Sequence, residues 1–245
     1  IVVLCTQAQT YNFRNYNTEH GLPQSQVLSM YQDTKGFVWF GTNSGGVGKY
    51  DGNKFIKLTK NDGLIDDVVF SIAENNKGEL LFGTSKGLSV YNQFQFKNYS
   101  EKEGLKNAWI YKLLSVGPKT WIGTQKGVFV FEAGKITAFE KNDILNASSV
   151  YSIFMDKDQN IWFGTLQNGV IRYVPSKGEF KQFNSASGIM SDFIFSIAQD
   201  DDGTMLIGTS TGLNTINKDL KIKAVNEIKG NGNISYSSIL KLDKG

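Results

Sequence analysis

A Gly-Thr pair with Trp or Leu two positions before its glycine recurs along the chain at nearly constant intervals. Its glycine is Gly41, Gly83, Gly123, Gly164 and Gly208, so successive copies lie 42, 40, 41 and 44 residues apart. A second mark, usually Gly-Leu, stands 19 or 20 residues earlier, at Gly21, Gly63, Gly104, Ile144 and Gly188. Five units therefore share one layout with a period of about 41 residues, and this period constrains the fold.

Each unit contains four short apolar runs separated by turn residues. In the second unit the runs are VVFSIAE, ELLFGT, LSVYN and QFKNY. Such runs, rich in Val, Ile, Phe and Tyr, predict β-strands, and no stretch sustains the period of about 3.6 residues that a helix requires. Four antiparallel strands in roughly 40 residues predict a β-propeller blade. The predicted fold class is all-β, a propeller with five complete four-stranded blades.

The predicted propeller spans residues 10–245. Complete blades are expected at about 23–60, 65–100, 106–140, 146–184 and 190–226, with partial blade strands at 11–17 and 234–245. These partial strands predict a fragment of a seven-bladed ring, which would need about 290 residues at this period. The alternative is a six-bladed ring, closed with the first apolar residues of the chain, IVVLC, as a third strand.

Residues 1–9, IVVLCTQAQ, differ in character from the repeats. Four apolar residues and Cys5 lead to Thr6 and Ala8, which suit the small-residue positions of a signal-peptidase site. This pattern predicts the tail of a secretory signal peptide, and an ordinary buried strand is the alternative. No apolar run in the sequence approaches the roughly 20 residues that span a bilayer. We therefore expect that no part of this chain inserts into a membrane.

The composition excludes several function classes. The net charge is +3 and the Lys and Arg residues are scattered, so no nucleic-acid partner is expected. A single cysteine excludes an internal disulfide framework and a thiolate metal cluster. The one histidine, His20, lies in a turn sequence and cannot form a His-rich metal site. We therefore expect no catalytic residue, no metal site and no cofactor.

The repeated Gly-Thr motif is interpreted as structural, because a five-fold catalytic centre would be chemically odd. The Trp or Leu before it is expected to fill the wedge between neighbouring sheets. The glycine would allow a close approach where the strand ends, and the threonine hydroxyl would satisfy backbone groups of the following loop.

Candidate binding residues lie where the repeats vary. The loop leading into each blade and the loop between its second and third strands are expected on one face, around the mouth of a central channel. Trp109 is a candidate platform for a sugar face, although packing on a neighbouring blade is an equal alternative. The other loop candidates are Ser44, Lys86, Lys126, Gln167, Asn168, Asp67 and Asp192.

One position of the first strand differs in a single blade. Eight residues after the Gly-Leu mark the five units have Ser29, Ser71, Lys112, Ser152 and Ser196. A lysine among serines on a channel-lining strand is a candidate for binding an anion or a sugar hydroxyl. Simple filling of the tapering channel is the alternative.

The stretch GLPQSQVLSMYQDTKGFVWFGTNSGG, with the repeats that follow it, resembles the two-component regulator propeller repeat, from residue 11 to about residue 245. Departures from that pattern are Ile144, the leucines Leu81 and Leu206 in place of Trp, and the turn SVGPKT. The resemblance implies the exported, periplasmic sensor region of a hybrid two-component histidine kinase of the Bacteroidetes type, tethered to the inner membrane by a segment outside this chain. A ligand-sensing role, often for carbohydrate, comes with it.

The implied partners are a small-molecule or oligosaccharide ligand and the remaining parts of the same sensor protein, and a homodimer stays open. Two other functions compete with sensing. One is a propeller lyase resembling the streptogramin or polysaccharide lyases, which would need a histidine and acidic residues converging on the channel. The other is a protein-interaction scaffold of the WD type, which shares the architecture but not the Gly-Thr motif.

Overall fold

The computed structural model describes residues 14–106, 109–225 and 238–239, and these contain five four-stranded sheets. The first sheet consists of β1 (Val27–Gln32), β2 (Val38–Thr42), β3 (Val47–Tyr50) and β4 (Phe55–Leu58). The second consists of β5 (Val69–Glu74), β6 (Leu80–Thr84), β7 (Leu88–Tyr91) and β8 (Phe96–Tyr99). The third consists of β9 (Ile110–Val116), β10 (Lys119–Thr124), β11 (Val128–Glu132) and β12 (Lys135–Ala138). The fourth consists of β13 (Val150–Met155), β14 (Ile161–Thr165), β15 (Val170–Val174) and β16 (Glu179–Phe183). The fifth consists of β17 (Ile194–Gln199), β18 (Met205–Thr209), β19 (Leu213–Ile216) and β20 (Ile222–Val225).

Every sheet is an antiparallel meander built from one sequence repeat. The first strands of neighbouring sheets contact each other in succession, β1 with β5, β5 with β9, β9 with β13 and β13 with β17. The sheets are therefore blades arranged around an axis, with the first strand of each blade innermost. The predicted all-β class and the five complete blades are confirmed.

Each interface between neighbouring blades has its own hydrophobic core. Between the first and second blades, Trp39 is 1% exposed and its ring centroid lies 5.7 Å from that of Phe82. Between the third and fourth blades, Trp121 lies 5.7 Å from Phe163 in the same way. The second-strand tryptophans thus fill the wedge between sheets, as predicted from their fixed place in the repeat.

The Gly-Thr pair has the structural role that the sequence predicts. A Cβ added at Gly123 would lie 2.7 Å from the carbonyl oxygen of Val150, on the innermost strand of the next blade, so only glycine fits there. Each threonine hydroxyl is buried and donates to a loop carbonyl; for example, Thr84 Oγ1 donates to Gly87 O at 2.8 Å. The same bond forms at Thr42, Thr124, Thr165 and Thr209.

The buried tryptophans of the first and fourth blades also make a hydrogen bond that the sequence analysis did not anticipate. Trp39 Nε1 donates to Asp33 Oδ2 at 2.8 Å, and Trp162 Nε1 donates to Asp156 Oδ2 at 2.7 Å. The aspartate is the first residue of the turn between the first two strands. The third blade has the turn sequence SVGPKT without an aspartate, and among the described residues the Trp121 indole donates no hydrogen bond.

Four of the five Gly-Leu marks end a one-turn 3₁₀ helix, at Thr18–His20, Lys60–Asp62, Glu101–Glu103 and Ser185–Ser187. The mark's glycine follows with a positive φ, for example +104° at Gly63, and the next residue is buried, as Leu64 is. At the fourth mark an α-helix, α1 (Asp143–Ala147), replaces this turn. The expectation that no helix occurs in the repeats is wrong at this point. Ile144 can replace glycine because the backbone of α1 is right-handed there, while Leu145 fills the buried leucine position.

Several predictions concern residues outside the described ranges. The predicted signal-peptide tail lies there, as do residues 11–13 of the first partial blade strand and most of the second, at 234–245. Residues 14–17 of the first partial strand are described and have no strand assignment. Within them, the hydroxyl of Tyr16 lies 2.7 Å from that of Tyr50 in the first blade. The seven-bladed fragment and the six-bladed closure both stay predictions.

The Trp–Asp hydrogen bond can be tested by comparing two equivalent tryptophans. Trp162→Phe removes the donor to Asp156, whereas Trp121→Phe removes an indole without such a bond. Because a buried hydrogen bond to a charged group contributes about 1.5–3 kcal/mol, Trp162→Phe should lower the free energy of unfolding by that much more than Trp121→Phe. Urea denaturation measures both losses, and equal losses would contradict the assignment.

The close approach at the Gly-Thr glycine predicts a second effect. Gly123→Ala places a methyl group 2.7 Å from a backbone carbonyl that cannot rotate away, and should cost about 1–3 kcal/mol of unfolding free energy. Gly178→Asn is the control, since φ there is +70°, no atom lies within 4 Å of an added Cβ, and Asn tolerates this conformation. Thermal unfolding that shifts equally in both variants would refute the steric account.

Candidate ligand-binding channel

The innermost strands enclose a cavity of about 830 Å³ on the axis of the five blades. Residues of β1, β5, β9, β13 and β17 line it, together with Ser238 and Ile239. Each of these strands starts at the face that carries the blade-leading loops and runs toward the turn before the second strand. Residues early in the strand therefore lie near the mouth of the cavity on the loop face.

The position eight residues after each Gly-Leu mark is here called the ring position, and it is occupied by Ser29, Ser71, Lys112, Ser152 and Ser196. Two of its serines make contacts between neighbouring blades. Ser71 Oγ accepts a hydrogen bond from Leu113 N, on the next innermost strand, at 2.9 Å. Ser29 Oγ approaches the carbonyl oxygen of Val69 in the same direction, at 3.5 Å. Ser152 is buried, and its Oγ has no hydrogen-bond partner among the described residues. These hydroxyls therefore join or space innermost strands, although their residues border the cavity.

Lys112 occupies the serine position of the third blade but behaves differently. Lys112 lines the channel and is exposed, whereas Ser71 and Ser152 are buried. Water reaches the side chain, but the surrounding protein partly desolvates the amine, and this desolvation lowers its pKa below the ordinary value. No carboxylate forms an ion pair with Lys112 in the described part of the chain.

Among the described residues, the other charged residue that lines the cavity is Glu74, at the far end of β5. Its carboxylate is occupied by the first blade, because it accepts hydrogen bonds from Thr34 N at 2.8 Å and from Thr34 Oγ1 at 2.7 Å. Ser71 is the Lys112 equivalent in the same blade, and Glu74 lies three residues beyond it, roughly 10 Å along a strand. Glu74 thus fastens two blades together, and in the described ranges it forms no ion pair with Lys112.

Four aromatic residues line the cavity one residue before the ring position of their strands, and Trp109 packs against two of them. Phe70 stacks on Trp109, with centroids 5.6 Å apart, and lies 5.9 Å from Tyr111. Tyr111 lies 5.4 Å from Tyr151, which lies 5.6 Å from Phe195. We call these five residues the aromatic line. It runs from the second blade to the fifth and gives the channel mouth a wall of ring faces and edges.

Trp109 combines the two roles that the sequence left open. It packs on the neighbouring second blade through Phe70 and is still 41% exposed at the mouth. Its neighbours in the same loop, Asn107 and Ala108, lie outside the described residues. Phe193, the equivalent residue of the fifth blade, is 46% exposed at the other side of the line.

Several of the remaining sequence candidates are engaged in holding the loops. Asp67 Oδ1 accepts from Lys60 N at 2.9 Å, and Asp192 Oδ1 accepts from Ser185 N at 2.7 Å, so both brace the 3₁₀ turns. Asn168 Nδ2 donates to Ser148 Oγ at 2.8 Å. These three side chains stabilise the face on which they lie, and none of them lines the cavity.

Lys86 is largely exposed and pairs with Asp66, its Nζ lying 3.5 Å from Asp66 Oδ2. Burial alone would raise the pKa of Asp66, but the hydrogen bond from Ser85 and the charge of Lys86 outweigh it, and the pKa is lowered. This pair holds the loops of the second blade together. The other candidates on the loop face are exposed: Ser44, Lys126 and Gln167.

Of the predicted residues, Lys112 lines the cavity, and Trp109 packs against Phe70 and Tyr111, which also line it. The other predicted residues lie on the surrounding loops. Sequence reasoning missed the aromatic line. Its signal was present, since an aromatic residue precedes the ring position in four of five units, at Phe70, Tyr111, Tyr151 and Phe195. The first unit has Leu28 there, and it lines the same cavity.

His20 is not one of the residues that line this channel. It is exposed in the first 3₁₀ turn, where its Nδ1 lies 2.6 Å from Asn17 Oδ1. Among the described residues no group of three or more His, Cys, Asp and Glu side chains could hold a metal ion. In the same residues we find no helix long and apolar enough to cross a membrane.

The chain was compared with known proteins. Residues 21–44, 144–167 and 188–211 match the profile of the family described as "Two component regulator propeller". Each match begins at a Gly-Leu mark or its Ile144 equivalent and ends in the loop after the Gly-Thr pair. The chain is also 31% identical to Histidine kinase P4 of Formosa agariphila over 197 residues, which cover 73% of this chain and 14% of the kinase.

Two solved structures show the same fold at low sequence identity. One is the extracellular domain assigned to a hybrid two component system of B. thetaiotaomicron, with a TM-score of 0.57, 20% identity, and coverage of 92% of this chain and 38% of that one. The other is virginiamycin B lyase from Staphylococcus aureus, with a TM-score of 0.69, 17% identity, and coverage of 85% and 73%. The chain thus spans about a seventh of the kinase and well under half of the extracellular domain.

The repeat layout, the five antiparallel blades and the three matched segments agree with one another. Three of the five repeat units of this chain thus match the two-component regulator propeller repeat.

Proposed function

We propose that this chain is a non-catalytic, ligand-sensing propeller of an exported two-component sensor, and that its ligand binds at the mouth of the central channel. The observation that carries the proposal is the cavity itself, which is lined by four residues of the aromatic line and by Lys112. The amine of Lys112 has no ion-pair partner among the described residues. An apolar concave site with a few polar groups suits a small-molecule ligand.

Exposed ring faces at such a mouth favour an oligosaccharide. The faces of sugar rings are apolar and their edges are polar, so a ring face can cover the C–H groups while neighbouring donors and acceptors hydrogen-bond the hydroxyls. Trp109, Tyr151 and Phe193 are each about two-fifths or more exposed, which is unusual for large aromatic side chains.

The comparisons support the part of this proposal that places the chain in an exported sensor protein. The similar domain from B. thetaiotaomicron is described as extracellular and the similar Formosa protein as a histidine kinase. We infer that the chain lies in the periplasm, tethered to the inner membrane by another part of its protein. Binding would signal by favouring one arrangement of the blades, or of two sensor copies, over another.

A lyase activity is the second candidate, because the fold similarity to virginiamycin B lyase is substantial. A variant of that lyase with a histidine replaced by alanine is described as catalytically inactive. The one histidine of this chain, His20, is exposed and bonded within its own turn. The channel residues described above include no general base of that type, which favours binding over turnover.

Binding can be tested by calorimetry on the whole extracytoplasmic region with a panel of oligosaccharides. At least one should bind, and Trp109→Ala should weaken it about tenfold or more, because a lost aromatic contact contributes roughly 1.4 kcal/mol. Phe94→Ala is the matched control, since Phe94 is 93% exposed in the β7–β8 hairpin, away from the residues that line the cavity.

Two results would reject the sensing proposal. One is silence across the panel, combined with turnover of a lyase substrate. The other is a ligand whose affinity falls equally in Trp109→Ala and Phe94→Ala, which would place the binding site elsewhere.

A further inference from the structure

We infer that the channel selects a ligand carrying an anionic group, a carboxylate or a sulfate ester, and that Lys112 binds that group. This inference rests on the proposed function and deepens it by naming the ligand's chemistry. Three independent features of the described residues lead to it: the repeat position of Lys112, its lack of a counter-charge, and its place beneath the aromatic line.

The repeat position shows that a lysine is not needed to build the channel. Four blades place a serine at the equivalent position, opposite the glycine of the Gly-Thr pair, and form the same sheet pairing. The third blade keeps this register, with Lys112 opposite Gly123. The longer, charged side chain is therefore an addition to the frame, and its desolvation makes the addition costly unless a ligand compensates it.

The charges around Lys112 leave its amine free for an anion. Within the part of the chain that the structure describes, the titratable side chains that line the cavity are Tyr31, Glu74, Tyr111 and Tyr151, besides Lys112 itself. Burial, and next the neighbouring Tyr151, raise the pKa of Tyr111, so this phenol stays neutral at physiological pH. Glu74 is held by Thr34. Among the described residues, the channel wall around Lys112 thus offers a positive group that no carboxylate pairs with. The partial desolvation of the amine strengthens its attraction for an anion relative to bulk water.

The positions of the aromatic line and of Lys112 suit a ligand with two parts, a flat ring and an anionic substituent. Tyr111 and Lys112 are consecutive on β9, and Trp109 stands just before that strand at the mouth. A sugar or other flat ring on the aromatic line would project a charged substituent down the channel toward Lys112. Because the strand between them is extended, the backbone of Lys112 lies roughly 10 Å deeper in the channel than the backbone of Trp109. An acidic or sulfated saccharide fits both parts.

The experiment compares three arms by calorimetry on the whole extracytoplasmic region: neutral hexose oligosaccharides, matched oligosaccharides with C6 oxidised to a carboxylate, and matched oligosaccharides with sulfate esters. An anionic arm should bind about 10- to 100-fold tighter than the neutral one, as expected for one charged hydrogen-bonded contact. The arm that does so identifies which anion the channel accepts.

The variants separate charge from channel filling. Lys112→Met keeps the length of the side chain and removes the charge, and should abolish the preference for the anion. Lys112→Arg keeps the charge and should retain most of the preference for the anion. Lys112→Ser restores the residue of the other blades. Because serine suits this position four times over, Lys112→Ser should unfold at no lower urea concentration than the parent, which shows that a loss of binding is not a loss of fold.

The pH dependence gives a further readout. The amine attracts an anion only when protonated, so the affinity of the anionic ligand should fall as the pH rises through the lowered pKa of Lys112. In Lys112→Met this decline should disappear. Binding of a neutral ligand should show no such decline in either protein.

The outcomes are distinguishable from a failure of the proposed function. Binding of neutral sugars with no preference for anions, or an anionic preference that survives in Lys112→Met, overturns this inference and leaves the sensing function standing. Binding in no arm overturns both. Anion binding that depends on Lys112 but not on Trp109 supports the anion site and overturns the sugar-stacking part of the proposed function.

Discussion

The contact between neighbouring blades is the interaction on which the rest of this structure depends. A single four-stranded meander has two faces and cannot bury either one alone. Here each sheet covers the next, with Trp39 against Phe82 and Trp121 against Phe163, while glycines such as Gly123 let the innermost strands approach closely. Because this contact repeats at every interface, the innermost strands are forced to stand side by side, and a channel along the axis is the geometrical consequence.

The channel combines a repeated frame with local departures from it. The serines of the innermost strands mostly serve the frame, as Ser71 does by bonding Leu113 on the next strand. Lys112 departs from that frame, and the aromatic line above it supplies a surface that the frame does not need. A repeat fold separates stability from specificity in this way, because one blade can change a channel residue while the other blades preserve the architecture.

Sequence reasoning reached the architecture because the period, the strand runs and the Gly-Thr pair report local geometry that every blade shares. It failed where tertiary contacts decide the outcome. The bonds from Trp39 to Asp33 and from Trp162 to Asp156 join residues whose pairing becomes visible only when the turn folds back. The helix at Asp143–Ala147 replaces a turn that needed glycine elsewhere. Asp67 and Asp192 looked like free ligands, but the fold uses both carboxylates to brace a preceding turn.

The central claim is that the ligand of this propeller lies in the channel, between the aromatic line and Lys112, and not on the outer loops. A crystal structure of the whole extracytoplasmic region with its bound ligand tests that claim most directly. The account predicts ligand density over the rings of Trp109 and Tyr111, with an anionic group within hydrogen-bond distance of Lys112 Nζ. Density confined to the outer strands or to the turns on the opposite face, with an empty channel, would contradict it.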